Sequence, residues 1–347
     1  MWSMRAVTSI DEVPSSLWTG LLSANLFENP LWLAANEKAF VGRAIITFEN
    51  VTRPFSVIVW RALSASDHSP YHNITDLLKR WDVDTIPTDH WTLSVTGAGL
   101  HSSLLSESTV DENALRAHLD AAISFAHSSY GFEGAPSAIG VNFLRPTPPA
   151  GLDGALRSLR FSSIEGYRRA WLNLPGNSFQ DYLASLNSEH RRNVRKDLER
   201  FQASGQSIQV TTGMAGYGDD LAVLQAANLD KYGLPANISS MRSRHKTLLT
   251  TFGDDSLVIR SVYKGTTTGF CMFFRGVDTL HALFAGFQPG NSVNGPYFQV
   301  VFHSAIEWVY KTPLRIIDYG IGGQNTTIAK KGRGCAVEPV TSWFRAT

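Results

Sequence analysis

Apolar residues in the first half of the chain fall into short runs separated by turn-forming residues. Four of these runs are rich in β-branched and aromatic residues, at 43–50, 54–63, 90–99 and 137–144. Runs of this composition between turn formers predict β-strands. Between the third and the fourth, Leu115, Leu119 and Ile123 recur at helical spacing, so 111–131 is predicted to be a helix that stops at its glycine.

The second half of the chain has a more regular alternation. Short helices at 151–161 and 178–186 flank a strand at 167–174. A basic helix is predicted at 188–205. It is followed by a strand (207–213), two helices (219–233 and 239–253) and three strands (256–265, 267–276 and 278–287). A helix (296–311) and a strand (315–320) complete the order. This order predicts an α+β domain, and a tail rich in glycine and lysine follows it.

Length and composition bound the architecture. At roughly 150 residues per domain, 347 residues predict two domains. The proline cluster Pro146, Pro148 and Pro149 is the predicted boundary, because proline continues neither a helix nor a strand ladder. With 43% apolar and 18% charged residues, the chain can bury sizeable cores and is not of disordered composition.

Charge and cysteine content narrow the classes of function. A net charge of +1 argues against a protein that coats nucleic acid, so any anion site must be local. The two cysteines, Cys271 and Cys335, give neither a disulfide framework nor zinc spacing, and no metal site is expected. Neither a signal peptide nor a membrane-spanning run is recognised, which predicts a cytoplasmic protein.

The basic helix is the most distinctive local feature. Five cations fall within ten positions: Arg191, Arg192, Arg195, Lys196 and Arg200. Ser188 is the predicted N-cap, while Val194, Leu198 and Phe201 at i, i+4 and i+7 are predicted to face a core. The remaining cations then form either a solvated face with ion pairs of under ~1 kcal/mol each or a surface that contacts phosphates.

Two stretches carry a resemblance to a known family. The segment 156–210 resembles the linker of the Fem-type peptidyltransferases, with Arg191, Asn193, Val194, Arg195 and Gly205 in the positions of that family's basic helix. These are tandem GNAT enzymes that move amino acids from aminoacyl-tRNA onto amines, and the order of elements from 207 to 320 is that of one GNAT lobe.

The second stretch lies near the C-terminus. It is similar to the family's Asp–aromatic–Gly strand end and the Lys-containing segment after it, and places Asp318, Gly320, Lys330, Arg333 and Gly334. A weaker match is 28–40, near the start. The resemblance implies two GNAT-like lobes, 1–150 and 151–347, each a mixed, mostly antiparallel sheet flanked by helices. The linker and basic helix would occupy 151–205.

The donor remains open between charged tRNA and coenzyme A. GNAT enzymes usually hold pyrophosphate on a glycine-rich turn before a helix, where backbone N–H groups approach closely. The corresponding stretch, 287–299, contains Gly290 and Gly295 without that spacing, and the nearest fit, 202–207, precedes the strands. This favours charged tRNA as donor, with no cofactor. If the donor is a thioester, acyl-CoA takes its place.

The candidate site residues follow from the chemistry of amide formation. An amine must lose a proton, an oxyanion must be stabilised and a leaving group must be protonated. The resemblance implies that Lys330 lies near the donor carbonyl, whereas the alternative is a loop lysine. Asp318 is a candidate to accept or relay the amine proton, or else caps a turn. His303 and Tyr297 are further catalytic candidates, or else packed side chains.

Phosphate contacts are expected from four arginines: Arg191, Arg192, Arg195 and Arg333. Three functions are compatible with these residues. The first is an aminoacyl-tRNA-dependent transferase that binds the tRNA acceptor end and forms an amide on the amine of a cell-wall precursor or small metabolite. The second is an acyl-CoA-dependent N-acyltransferase of the same fold. The third is a non-catalytic GNAT-like module that binds peptidoglycan fragments or nucleic acid.

Overall fold

The structure of the protein is a computed structural model. It describes residues 4–21, 26–37, 42–49, 56–67, 72–83, 90–96, 104–106, 109–144, 148–231, 233–234, 236–289 and 296–347. The chain divides into two compact units. The first comprises Met1–Tyr167 and Pro339–Thr347, and the second comprises Arg168–Glu338. Gly290, Gly295 and Pro146, on which two of the sequence predictions rest, lie outside the described residues.

The first unit contains a mixed, mostly antiparallel sheet of order β1-β2-β3-β4-β6-β13, with β5 paired to β3. The strands are β1 Met4–Val7, β2 Arg43–Glu49, β3 Ser56–Leu63, β4 Thr92–Val95, β5 Leu104–Ser106, β6 Ala138–Leu144 and β13 Ala336–Ala346. The helices are α1 Ser15–Leu21, α2 Pro30–Glu37, α3 Ile74–Arg80, α4 Glu112–Tyr130 and α5 Leu152–Ser158. The β4–β6 pair is parallel.

Helix α4 shows how local chemistry sets these elements. Asp111 caps its first turn by accepting from the Ala114 N–H at 2.8 Å, and Gly131 ends it with a φ of 69°. Leu115 and Leu119 on its apolar face are buried among the strands of this unit. The helical spacing read from the sequence therefore corresponds to the face that packs on the sheet.

The second unit contains another mixed sheet, of order β7-β12-β11-β10-β9-β8. Its strands are β7 Ser162–Asn173, which begins in the first unit, β8 Ser207–Thr212, β9 Ser256–Tyr263, β10 Thr266–Arg275, β11 Thr279–Phe287 and β12 Ile316–Gly322. The helices are α6 Phe179–Ser185, α7 Ser188–Ala203, α8 Asp219–Asp230, α9 Ile238–Phe252, α10 Pro296–Phe298, α11 Ser304–Val309 and α12 Gln324–Lys331. Only β11 and β12 pair in parallel among the described strands of this unit.

The predicted α+β fold class is confirmed, and several details differ from the sequence prediction. The N-cap of α7 is Asn187, not Ser188, because the Asn187 Oδ1 accepts from the His190 N–H at 2.8 Å. Strand β7 begins five residues before the predicted 167. The tail, for which no element was predicted, forms α12 and β13. The helix predicted at 296–311 is interrupted by a π-helical segment, Gln299–His303.

Candidate active site

The strands β11 and β12 part within the second unit. Their parallel pairing covers only Thr279–Ile316, Leu280–Ile317 and His281–Asp318. Beyond that point β11 continues to Phe287 and β12 to Gly322, with no further pairing between them in this part of the described chain. We call the place where pairing ends, at His281 and Asp318, the strand fork.

Each strand is irregular just beyond the fork. On β11, Leu283 is an extra residue with no partner on β10, because the neighbouring β10 residues Met272 and Phe273 pair with Phe284 and Ala282. On β12, the register against β7 shifts between Asp318 and Ile321, and Gly320 takes a φ of 66°. Such bulges bend strands and release backbone groups from the ladder, which is why they occur next to binding sites.

Asp318 is the hub of a buried polar cluster at the fork. Its Oδ2 lies 2.7 Å from the Arg169 Nη2 and 3.1 Å from the His281 Nδ1. Its Oδ1 accepts from the Gly320 N–H at 2.9 Å, which also fixes the bulge. Asp318 and His281 are almost fully buried. The predicted candidate thus lies where the pairing of β12 with β11 ends, in contact with a cation and a histidine.

The electrostatics of this cluster keep Asp318 ionised. Burial acts to raise the pKa of its carboxyl, but the Arg169 guanidinium and the hydrogen bond from His281 outweigh burial and hold that pKa well below its usual value. A carboxylate with so low a pKa retains a proton poorly. It is therefore better suited to orienting a positively charged or N–H group than to holding the proton of the reacting amine.

Lys330 lies in the last turn of α12, next to the same bulge. Its Nζ donates to the Tyr319 carbonyl on β12 at 2.8 Å, and only 6% of the residue is exposed. Burial lowers the pKa of this amine. It also raises the pKa of the Cys335 thiol to about 12, so this thiol is protonated at neutral pH. Lys330 is thus a helical residue and not the loop lysine considered as the alternative, and its role near the donor carbonyl stays a prediction.

His303 and Tyr297 lie on the segment that follows β11. His303 is fully buried in the π-helical segment, with its Nε2 3.6 Å from the Asp197 Oδ2. Neither of its ring nitrogens makes a hydrogen bond to the described residues, and burial lowers its pKa. Tyr297 packs edge-on against Phe287 and Phe298. Catalytic roles for both residues stay predictions.

The four arginines expected to contact phosphates have different surroundings. Arg192 and Arg195 are exposed on α7, as are Lys196 and Arg200. An open depression of about 300 Å³ on this helix is lined by Ser188, Arg191, Arg192, Arg195, Lys196 and Glu199. The guanidinium of Arg191 instead donates to the Leu183, Ala184 and Leu186 carbonyls at the end of α6, at 2.8–3.2 Å.

Arg333 is also engaged within the protein. Its Nη2 and Nε lie 2.6 Å and 3.1 Å from the Asp197 Oδ2, and its guanidinium stacks over the Phe298 ring at 3.5 Å. The exposed arginines of α7 are thus available to an external anion, whereas Arg191 and Arg333 are held by internal acceptors. Whether any of the four contacts phosphate stays a prediction.

Sequence reasoning missed Asp197 and Arg169. Asp197 is three residues after Val194, on the face of α7 that buries Val194 and Phe201. A carboxylate at that spacing was the available indication, since an aspartate is almost never buried without a partner. Arg169 lies on β7 opposite the irregular part of β12, paired with Ile321. Nothing in the local sequence indicates that it reaches Asp318.

The described residues contain neither a metal-binding group nor a membrane-spanning helix. Within the described ranges, no group of three or more His, Cys, Asp or Glu side chains is arranged to hold a metal ion. No helix among the same residues is long and apolar enough to cross a membrane.

Comparison with known proteins relates this geometry to a family. Residues 101–347 match the family model FemAB-like, described as peptidoglycan biosynthesis/recognition. No curated protein matches. Among solved structures, FemX is similar over 93% of this chain and 92% of its own, with a TM-score of 0.57 and 11% identity.

Two further structures share the fold. A tandem GNAT protein from the clavulanic acid biosynthesis pathway is similar over 100% of this chain and 98% of its own, with a TM-score of 0.55 and 12% identity. A conserved protein of unknown function from Bacteroides thetaiotaomicron is similar over 99% of both chains, with a TM-score of 0.55 and 10% identity. At these identities the likeness concerns the fold. Family and fold together class the chain as an acyltransferase, and it belongs to the FemAB-like family.

Proposed function

We propose that this protein is an aminoacyl-tRNA-dependent N-aminoacyltransferase that forms an amide on the amine of a cell-wall precursor or a small metabolite. The observation that carries the proposal is the buried Lys330 amine beside the strand fork, next to the ionised Asp318. A cation and a carboxylate beside the same irregular part of β12 provide what amide formation needs. No covalent nucleophile is required, because an aminoacyl ester is already activated.

In the proposed step the amine nitrogen attacks the ester carbonyl carbon of the donor. A C–N bond forms, and the carbonyl electron pair moves onto oxygen. The Lys330 ammonium stabilises that oxyanion, while Asp318 and His281 orient the attacking amine and its N–H groups. Collapse of the tetrahedral intermediate breaks the C–O bond, and the ribose hydroxyl leaves with the proton that the amine has lost.

The exposed face of α7 supports a phosphate-bearing donor. Arg192, Arg195, Lys196 and Arg200 are exposed on one helix of a chain whose net charge is only +1. Contact limited to the acceptor end of a tRNA involves few phosphates, which a small basic patch can serve. Such binding is expected to weaken as salt concentration rises.

An acyl-CoA donor is the second candidate. The similar protein of the clavulanic acid pathway carries the description "without AcCoA", which relates that protein to the coenzyme. The same fork would accept a thioester carbonyl, and a thiolate would leave in place of a ribose hydroxyl. A third possibility, binding without turnover, is suggested by the word recognition in the family description.

One assay separates the three. The purified chain is incubated with RNase-sensitive charged tRNA or with acyl-CoA, together with candidate amines, and amide formation is measured. Loss of product after RNase treatment supports the proposal, whereas thiol release with RNase-resistant product supports the second candidate. Binding of peptidoglycan fragments without any turnover supports the third.

Lys330 provides the matched test of the site. Removing one group that stabilises an oxyanion lowers kcat by about 10²–10³, and we expect this loss for Lys330→Ala. Lys331→Ala is the control, because Lys331 is its exposed neighbour on the same helix. Equal kcat values for the two variants would remove Lys330 from the mechanism.

A further inference from the structure

Helix α7 has a basic outer face, with Arg195 and Lys196 exposed, and a buried inner face that includes Asp197. The inner face is linked to Lys330 through Arg333. Asp197 is only 2% exposed although Arg195 and Lys196, immediately before it, are exposed. Its Oδ2 accepts two hydrogen bonds from Arg333, at 2.6 Å and 3.1 Å. Burying a charged carboxylate is costly unless it is paired, so the contact with Arg333 is what allows Asp197 to be buried.

Arg333 in turn holds the end of α12. Its backbone N–H donates to the Lys330 carbonyl at 3.0 Å, and its Nη1 donates to the Ala329 carbonyl at 3.3 Å. Its own carbonyl accepts from the Tyr182 hydroxyl at 3.0 Å. The turn from Ala329 to Arg333 therefore closes around one guanidinium, and that guanidinium is fixed by Asp197.

The consequence concerns the position of the Lys330 amine. The Nζ reaches the Tyr319 carbonyl only if the last turn of α12 keeps its place against β12. Without Asp197, the Arg333 cation would be mostly buried with no carboxylate bonded to it, and it would move toward water and carry that turn along. We infer that Asp197 is a positioning residue that acts through Arg333 to hold the Lys330 amine at the strand fork. The catalytic meaning of this inference rests on the proposed function.

The two faces of α7 thus act together. The outer face carries the cations proposed to hold the donor, and the inner face fixes the amine proposed to act on the donor carbonyl. A helix is rigid over the two residues from Arg195 to Asp197, so the two groups keep a constant separation. Precise spacing between a binding group and a reacting group is what converts binding into rate.

The decisive experiment reads the environment of Lys330 without needing turnover. The full chain is pulsed with acetic anhydride, and acetylation at Lys330 and Lys331 is measured by mass spectrometry. For Asp197→Asn we expect Lys330 to react about tenfold faster than in the wild type, because local opening exposes its amine. Lys331, already exposed, serves as the internal control and keeps its wild-type rate. A Lys330 rate equal to that of the wild type overturns the inference.

A second variant covers the case in which Asp197→Asn unfolds and all lysines react faster. Arg333→Lys keeps a cation opposite Asp197 but lacks the forked guanidinium that also reaches the Ala329 carbonyl, and the planar face that stacks on Phe298. We expect it to remain folded and to raise acetylation at Lys330 alone. If Lys330 stays protected in that variant, Arg333 does not hold it and the inference fails.

Kinetics then test the link to catalysis. In Asp197→Asn we expect kcat to fall while the donor KM stays within about twofold of the wild type, because the interaction lost acts on the transition state. In a Lys330→Ala background the same substitution should lower kcat no further, since residues that act as a unit are not additive. Multiplicative losses would show that Asp197 acts elsewhere. A wild type without turnover would reject the proposed function but leave the acetylation result intact.

Discussion

Each unit of the protein buries a carboxylate beside a histidine, and the two clusters differ in what surrounds them. In the first unit, the two ring nitrogens of His118 lie 2.7 Å from the Thr47 and Ser56 hydroxyls, and Glu49 lies 3.4 Å away. In the second unit, Asp318 contacts His281 and the Arg169 guanidinium.

The backbone around the clusters differs as well. Thr47 pairs with Ile58 on β3 and Glu49 with Met4 on β1, so the cluster of the first unit lies on strands that are still paired. Asp318 is at the last paired position before β11 and β12 part. A buried carboxylate–histidine contact is therefore not in itself a mark of an active site. The parting of the strands, with a buried amine beside it, distinguishes the second cluster.

The largest effect is expected from Asp318→Asn. Breaking a buried ion pair leaves the Arg169 charge uncompensated and costs about 3–5 kcal/mol in the free energy of unfolding. Turnover should fall too, because the fork is built around this carboxylate. Glu49→Gln is the matched control: no cation is bonded to Glu49 in the described residues, so we expect a smaller cost and unchanged turnover. Urea unfolding and steady-state kinetics provide the measurements, and equal losses in both variants would remove the distinction between the clusters.

A smaller effect is expected from His118→Gln. The replacement satisfies at most one of the two hydroxyls, Thr47 and Ser56, that the imidazole contacts, and leaving a buried polar group unsatisfied costs about 1–3 kcal/mol. Turnover per folded molecule should be unchanged, because this cluster belongs to the first unit and the fork belongs to the second. A loss of kcat at constant stability would give the first unit a catalytic part and break the comparison.

The pH dependence of stability separates the same two clusters. Burial lowers the pKa of His118, so the unfolded chain binds the proton first and stability falls as pH drops below the unfolded value of 6.5. Asp318 has a folded pKa below its unfolded value of 3.8, so its contribution is present above that pH and is lost as pH falls below it. We expect His118→Gln to reduce the first phase, which the buried His303 and His245 share because burial lowers the pKa of each. Asp318→Asn should flatten the second phase, in urea titrations at stepped pH. A single phase unaffected by either variant would contradict this assignment.

The smallest effect on stability is expected on α7, where Arg195→Ala is compared with Arg191→Ala. Arg191→Ala leaves the carbonyls at the end of α6 without their charged donor and should cost about 1.5–3 kcal/mol. Arg195→Ala changes an exposed residue and should alter stability by less than about 0.5 kcal/mol. The order is expected to reverse for donor binding, where Arg195→Ala weakens affinity and reduces its salt dependence. Donor titrations at several salt concentrations test this, and unchanged binding would make the outer face of α7 a solvated surface.

The sequence predicted the order of elements in the second unit because each element has a local cause. Apolar spacing indicated the faces of α4 and α7, and turn formers bounded the strands β9, β10 and β11. Where a cause was weak, the prediction failed: Asn187 and Ser188 are both good N-caps, and the local sequence does not choose between them. No element was predicted in the tail, because its glycines and lysines mask the period of α12.

The candidate site divides along the same line. Lys330 and Asp318 were identified from sequence because they lie in a segment similar to a known family, and the burial of both was not foreseen. Arg191 and Arg333 were grouped with Arg195 as phosphate contacts, since a sequence shows charge but not direction. Only folding revealed that Arg191 caps α6 and that Arg333 pairs with Asp197.

Short-range forces set the helices, the strands and their apolar faces, so these could be predicted from the sequence. The family likeness could be recognised there too. The tertiary structure alone decided which charges are neutralised inside and which remain for a ligand. It also decided that β11 and β12 part at His281 and Asp318, because pairing between strands 37 residues apart depends on the packing of the whole unit rather than on either strand.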